Sequence, residues 1–338
     1  MRIDKTSGTQ RSAPGRPRKL TARLSGSDRT FRGIATAGGV FVLILMGLVG
    51  AFLAYRAWEA LHKAGWSFLT TQQWNPDGGG FGIAAVMIGT FLIAGVAVVV
   101  GVPLALGTAL YISEYAPRRV QRGLITVIDL MAAVPSIVFG LWGWQLLQWK
   151  VVSLSRWISN WFYWIPLFHV DGVARDDPLA SPTYFTSSSF AAGLVVALMI
   201  TPIAGSIMRE AFSQAPLGER EGAYALGATR WGMIRAVVLP FGRGAIVGGT
   251  MLGLGRALGE TIAVLLIISP VYQIQPHILQ KGTSSISALI ALLIREATPF
   301  GVSALMAAGL ALFAMTLLVN FAASVIVSRS RSGAVSEA

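Results

Sequence analysis

Arg256 and Glu260 stand four residues apart inside the apolar run GAIVGGTMLGLGRALGETIAVLLII. An ionised side chain at mid-membrane depth costs about 2.5–3.5 kcal/mol on insertion scales. An opposite charge about 4 Å away contributes about 4 kcal/mol at an effective dielectric near 20. Pairing therefore accounts for both charges, and a purely structural ion pair competes with a role in moving a charged solute. Arg before Glu is the weaker order for a helical pair. Gly249, Gly253 and Gly259, with Gly244, Gly248 and Gly255 alongside, form a stripe that lets a second helix approach closely. A charged face beside such a stripe suits a pathway at the seam between two subunits. The planar, permanently charged guanidinium is a fitting donor set for an oxyanion. Thr250, Thr261 and Ser136 offer hydroxyls, although membrane hydroxyls more often bond back to their own helix. Glu260 repels an anion unless it is paired, protonated, or accepting a proton from the solute.

The second constellation is SQAPLGEREGAYALGATRWGMIRAVVLP, over about residues 213–240. It reads as helical on both sides of Gly227, a residue suited to ending a helix in the left-handed conformation. Ala223, Ala225 and Leu226 form a small apolar face flanked by Glu219, Arg220, Glu221, Arg230 and Arg235. A short amphipathic helix of this kind is a knob for another protein's groove; the alternative is a capped loop helix that touches only its own chain. Several classes are excluded. There is no cysteine, so disulfides, thiolate metal sites and cysteine nucleophiles are ruled out. His62, His169 and His277 fall in separate loops, without an HExxH or serine-centred motif. No GxxxxGK[ST] loop is present, so nucleotide hydrolysis belongs to another chain.

The elements that hold these residues are those of a membrane protein. Of 338 residues, 54% are hydrophobic and 12% charged, with a mean hydropathy of +0.63; soluble domains carry about 25% charged residues. A crossing helix needs about 20 apolar residues. Six runs qualify: Ile34–Tyr55, then within Phe81–Ile112, Leu124–Leu147, Phe190–Met208, Val237–Ile268 and Val302–Val327. The net charge of +12 points to nucleic acid only until the basic residues are placed. Nineteen of the 27 lysines and arginines fall in the N-terminal tail, the second-to-third and fourth-to-fifth loops, and the C-terminus. That bias places both termini in the cytoplasm and leaves no nucleic-acid surface. Residues 1–33 read as a basic, disordered cytoplasmic tail able to touch anionic lipid, residues 34–328 as the six-helix domain, and 329–338 as a short cytoplasmic tail.

Other features constrain the loops. In the Trp-rich extracytoplasmic segment, about 149–186, the spacing of Val151, Leu154, Ile158, Trp161 and Ile165 predicts a helix lying flat at the membrane boundary. SSISALIALLIREATPF predicts another short helix, with Thr298 and Pro299 as the cap and first position of the next one. Pro103, Pro135 and Pro202 are expected to interrupt spans two, three and four. Asp129 calls for a partner arginine, Arg122 or one on another helix.

The loop resembles that of the permeases of binding-protein-dependent ABC importers. Their pattern is Glu-Ala-Ala, three residues, Gly, nine residues, then Ile-x-Leu-Pro. Here it reads Glu221-Gly222-Ala223, then Gly227, then Val237-Val238-Leu239-Pro240, departing at Gly222 and Val237. With YISEYAPRRVQRG, IDLMAAVPSIVFGLWGW and the span-five run, the chain from about Phe31 to Arg329 resembles the PstC-type permease family of bacterial phosphate importers. The resemblance implies an all-α membrane protein of six transmembrane helices, with type I, MetI-like architecture, in the bacterial inner membrane. It implies a PstA-like second permease, two PstB-like ATPase subunits and an extracytoplasmic phosphate-binding protein. ATP and Mg are then used by the partner ATPase, with no cofactor or metal on this chain. It further implies that the loop around Glu221, Gly222, Ala223, Gly227, Leu239 and Pro240 docks on the ATPase, and that Arg256 and Glu260 serve phosphate movement by alternating access. An ion-coupled anion carrier would leave the loop pattern unexplained, whereas a permease for a related oxyanion would share it.

Overall fold

The computed structural model describes residues 26–174, 177 and 180–331. Most of the expected basic tail and of the short C-terminal tail lies outside the described residues. The chain divides into two compact units, residues 1–49 and 50–338. In the first, the described residues form the leading part of helix α1 (Gly26–Ala64). The second unit opens with the short α2 (Ser67–Thr70) and a small antiparallel hairpin, β1 (Trp74–Asn75) and β2 (Gly80–Phe81), that sets Trp74 opposite Phe81. Helix α3 (Ala84–Leu110) runs into a π-helical turn, Tyr111–Tyr115. Next come α4 (Arg118–Ala133), α5 (Ser136–Trp142), a second π-turn at Gly143–Leu147, and α6 (Gln148–Trp161). Helix α7 (Ser189–Ser213) leads to the short α8 (Leu217–Ala225) and α9 (Arg230–Met233). A third π-turn, Ile234–Val238, precedes α10 (Leu239–Gly259) and α11 (Ile262–Ile267). Helices α12 (Ile286–Leu293) and α13 (Pro299–Arg331) complete the order.

Among the described residues, five helical stretches are long and apolar enough to cross a membrane: Gly26–Ala64, Ala84–Tyr115, Ser189–Ser213, Arg230–Gly259 and Pro299–Ala322. The sixth is the pair Arg118–Ala133 and Ser136–Trp161, bent by 91°. The third expected span is therefore not one straight helix. Val134 and Pro135 are extended, with ψ 128° and 140°, as expected of a residue forced out of the α region by a following proline. Pro103 and Pro202 do not interrupt their spans: α3 and α7 run continuously through both. Tertiary packing separates the cases. Helices α3 and α7 bury one another over their length, Pro202 included, whereas α4 buries no residue.

Successive levels of α3 anchor three apolar clusters. Ile83 and Val86 meet Phe68, Phe81, Ile286, Leu289 and Leu305. Ile93 and Ala97 meet Val196, Ile200, Leu258, Ala263 and Ile267. Ala105 and Ala109 meet Met208, Phe212, Ile234 and Val238. Arg220, in the fourth-to-fifth loop, pairs with Glu114, in the second-to-third. In the segments assigned to the opposite side, Ser188 bridges Lys281 and the Phe190 N–H donates to the Ile278 carbonyl. The predicted cap before α13 forms, with the Gly301 N–H donating to Thr298 Oγ1 at 3.0 Å.

Helix α6 forms where the tryptophan-rich segment predicts one, with a different inner face. Gln148, Val151, Val152 and Ser155 are buried, whereas Leu154 and Trp161 are exposed and Ile165 follows the helix end. The inward stripe is thus rotated toward Val152 and Ser155. On the other side of α3, a Cβ at Gly89 would fall 2.0 Å from the Ser284 carbonyl oxygen and 2.9 Å from Thr283 Oγ1. Overpacking usually costs about 1–3 kcal/mol, and backbone oxygen cannot rotate away. Gly89→Ala is expected to lower the thermal midpoint of the detergent-solubilised protein by several degrees, read by size-exclusion recovery after heating.

Candidate functional site

The expected fifth span breaks at its acidic residue. Helix α10 ends at Gly259, Glu260 is extended with ψ 126°, and α11 begins at Ile262. Arg256 and Glu260 therefore do not share one helix face. Glu260 Oε1 accepts from the Ala263 N–H at 3.3 Å, capping α11, and Ser287 Oγ donates to the Glu260 carbonyl at 2.7 Å. These bonds satisfy backbone groups that a broken helix leaves without partners. Glu260 is 8% exposed. Arg256, in the last turn of α10, is exposed, and its side chain makes no hydrogen bond or ion pair with any described residue. The structural ion pair between the two is thus absent among the described residues.

Both side chains instead line one open cavity of about 750 Å³, together with Gly248, Gly255, Gly259 and Asn320. The space is many times larger than one water, so a hydrated oxyanion fits. The glycine stripe splits between two tasks. Gly249 and Gly253 face α7, where an added Cβ would lie 3.0 Å from the Ala204 carbonyl oxygen and 3.4 Å from Ile200 Cβ. The side of α10 carrying Gly248, Gly255 and Gly259 opens onto the cavity. Of the predicted hydroxyls, Thr250 donates to the Ile246 carbonyl at 2.7 Å and Thr261 to Gly259 at 3.1 Å, while Ser136 is the first residue of α5; none lines the cavity. Sequence reasoning missed Asn320. Its signal was a lone amide in the apolar run LLVNFAA of the last span.

The loop has the expected helix–turn–helix form. Gly227 has φ +81°, and its N–H donates to Tyr224 while the Ala228 N–H donates to Ala223. That pair of bonds closes α8 in a Schellman motif, which requires the left-handed residue glycine supplies. Thr229 then caps α9, accepting from the Gly232 N–H at 3.1 Å. Glu221 and Gly222 are exposed and Ala223 half-buried. Leu226, beside the turn, is 90% exposed. Leu239 and Pro240 follow the third π-turn directly, within the continuous helical stretch Arg230–Gly259.

Two smaller readings change. Asp129 Oδ1 accepts from Ser206 Oγ at 3.4 Å, rather than meeting an arginine among the described residues. The loops of His169 and His277 are not separate: both rings approach Asp171, at 3.5 and 3.6 Å.

A chain of this fold occurs in the solved bacterial alginate ABC transporter in complex with its alginate pentasaccharide-bound periplasmic protein. The TM-score is 0.58 at 17% identity, over 90% of this chain and 96% of that one. This likeness shows a membrane-helix fold shared with an ABC-transporter chain. Residues 101–332 match the family described as the binding-protein-dependent transport system inner membrane component. PstC 2, a phosphate transport system permease protein of Mycobacterium tuberculosis, is 39% identical over 90% of this chain and 93% of its own. PstC of Haemophilus influenzae is 35% identical over 89% and 93%. The chain belongs to this family of inner-membrane permeases, among its phosphate-transport members.

Proposed function

We propose that the chain is a membrane-spanning subunit of an ATP-driven importer that moves inorganic phosphate by alternating access across the bacterial inner membrane, both termini cytoplasmic. The observation that carries this reading is the guanidinium of Arg256, unpartnered among the described residues, on an open cavity of about 750 Å³ beside Glu260, at the break of a membrane helix. Discontinuous helices are where transporters bind charged solutes. Relatives named as phosphate transport permeases supply the solute class. Arg256 attracts the oxyanion with a fork of N–H donors. Only Oε1 of Glu260 is engaged with a described residue, so its carboxylate repels fully ionised anions and accepts a proton from those that carry one. Dihydrogen phosphate carries such protons; sulfate at neutral pH does not. Asn320 adds an amide that both donates and accepts. Thr250 and Thr261 reach the solute only by releasing the Ile246 and Gly259 carbonyls, and Ser136 only from the start of α5.

The energy comes from partner chains: a PstB-like pair of ATPases using ATP and Mg and gripping the loop around Gly227, with a PstA-like second permease and a phosphate-binding protein outside. This chain itself is a transport subunit, not an enzyme. In proteoliposomes holding the complex, phosphate accumulation is expected to require ATP and to persist when a proton uncoupler is added at constant ATP. Uptake abolished by the uncoupler would transfer the function to an ion-coupled carrier. Glu260→Gln is expected to reduce discrimination of phosphate over sulfate about tenfold, equivalent to about 1.4 kcal/mol of lost repulsion; competition uptake with both anions measures it. Asn320→Leu, losing one neutral hydrogen bond of about 0.5–1.5 kcal/mol, is expected to raise the half-saturating phosphate concentration about two- to tenfold.

A further inference from the structure

Arg220 and Arg230 flank the Gly227 turn, one on α8 and one on α9, and each reaches the π-turn Tyr111–Tyr115, Arg220 at Glu114 and Arg230 at Tyr115. Arg220 Nη1 lies 3.0 Å from Glu114 Oε2, within the π-turn that ends α3. Ser113 Oγ donates to Glu114 Oε1 at 2.6 Å, so each oxygen of that carboxylate is engaged. The other guanidinium nitrogens cap the end of α7: Nη2 donates to the Phe212 carbonyl at 2.5 Å and Nε to Ala215 at 3.2 Å. The Glu114 side chain is 3% exposed and that of Arg220 17%. Beside them, the Arg230 guanidinium lies 5.3 Å from the centroid of the Tyr115 ring, within cation–π range. Apolar contacts support the same junction, since Ala223 and Ile234 pack with Ala109 and Phe212.

We propose that the Ser113-Glu114-Tyr115 turn is the receiver of the coupling loop, with Arg220 and Arg230 as positioning residues that convert a displacement of α8 and α9 into a joint displacement of α3 and α7. This rests on the coupling reading above and adds which contacts carry the movement. Arg220 alone joins three elements, using all three of its nitrogens in directions fixed by the planar fork. A lysine ammonium is a point charge on a flexible stem and does not reproduce that. The π-turn matters because it departs from regular α-helical geometry, a local irregularity frequent at functional positions. Arg230 holds the far side of Gly227, so the loop is tied to the receiver on both arms.

The test uses the whole complex, purified and reconstituted, with two readouts: ATP hydrolysed, and phosphate transported per ATP. Glu114→Gln leaves the Arg220 caps on α7 available and is expected to assemble with the ATPase. Its transport per ATP is expected to fall about tenfold, in the upper range for substitutions along a coupling route, while hydrolysis continues. Arg220→Lys is expected to fall similarly, and the double variant no further than the worse single one. Should Glu114→Gln fail to fold, Tyr115→Leu replaces it, since that ring is 43% exposed. A wild-type transport-to-ATP ratio in the folded variants overturns the receiver, as does a loss that only follows the amount of assembled complex. A wild-type chain from which no ATPase co-purifies overturns the coupling reading and the receiver with it.

Discussion

Replacing Arg256 by leucine is expected to reduce phosphate uptake by at least about a hundredfold, with little change in assembly. Hydrogen bonds to charged groups contribute about 1.5–3 kcal/mol each, and a guanidinium gives an oxyanion two at once. Two lost bonds, about 3–6 kcal/mol, correspond to at least about two orders of magnitude. Stability is spared because Arg256 is exposed and holds no described residue. Removing it breaks no ion pair, and leucine suits the apolar surroundings of Met251 and Leu252 that line the same cavity. Arg256→Lys keeps the charge without the fork and is expected to fall in between. Uptake by proteoliposomes, normalised to reconstituted complex, measures both variants against wild type. Uptake within threefold of wild type in the leucine variant would remove Arg256 from the pathway.

How much of this was legible in the sequence depends on the range of the interaction concerned. Local chemistry was readable. Gly227 ends α8 because only a left-handed residue closes that cap, and Thr298-Pro299 starts α13 because both suit a helix N-terminus. The apolar runs became helices for the same reason. The break at Glu260 was not readable, because Gly259-Glu260-Thr261 sits between apolar residues whose pattern continues across it. It becomes favourable through Ser287, 27 residues away, which takes up the freed carbonyl. Prolines show the same limit from the other direction: the rule held at Pro135 and failed at Pro103 and Pro202, where α3 and α7 hold each other helical. Asn320 joined the site only when α13 was folded against α10. The Arg220–Glu114 pair spans 106 positions, so no spacing rule could have matched those two residues.

The other large effect is expected at the tip of the loop. Leu226 is 90% exposed, and it follows a helix whose neighbouring residues Glu219 and Glu221 are also exposed. Burying a leucine in a partner's groove contributes about 1.5–3 kcal/mol. Placing a carboxylate there reverses the sign, because an unpaired buried charge costs several kcal/mol more. Leu226→Asp is therefore expected to weaken ATPase docking by at least about a hundredfold, the equivalent of ~3 kcal/mol. The fold is expected to survive, since the side chain is almost fully exposed and the Schellman bonds are made by backbone alone. Gly227→Val makes the complementary case: a branched residue at φ +81° is strained, so the helix end unravels and docking falls through geometry rather than charge. Co-purification of the ATPase with each variant from membranes separates the two, with thermal stability of the isolated permease as the second measurement. Leu226→Asp is expected to lose the ATPase at unchanged stability, whereas Gly227→Val is expected to lose both together. An ATPase that stays bound to Leu226→Asp would place the docking surface elsewhere on the chain.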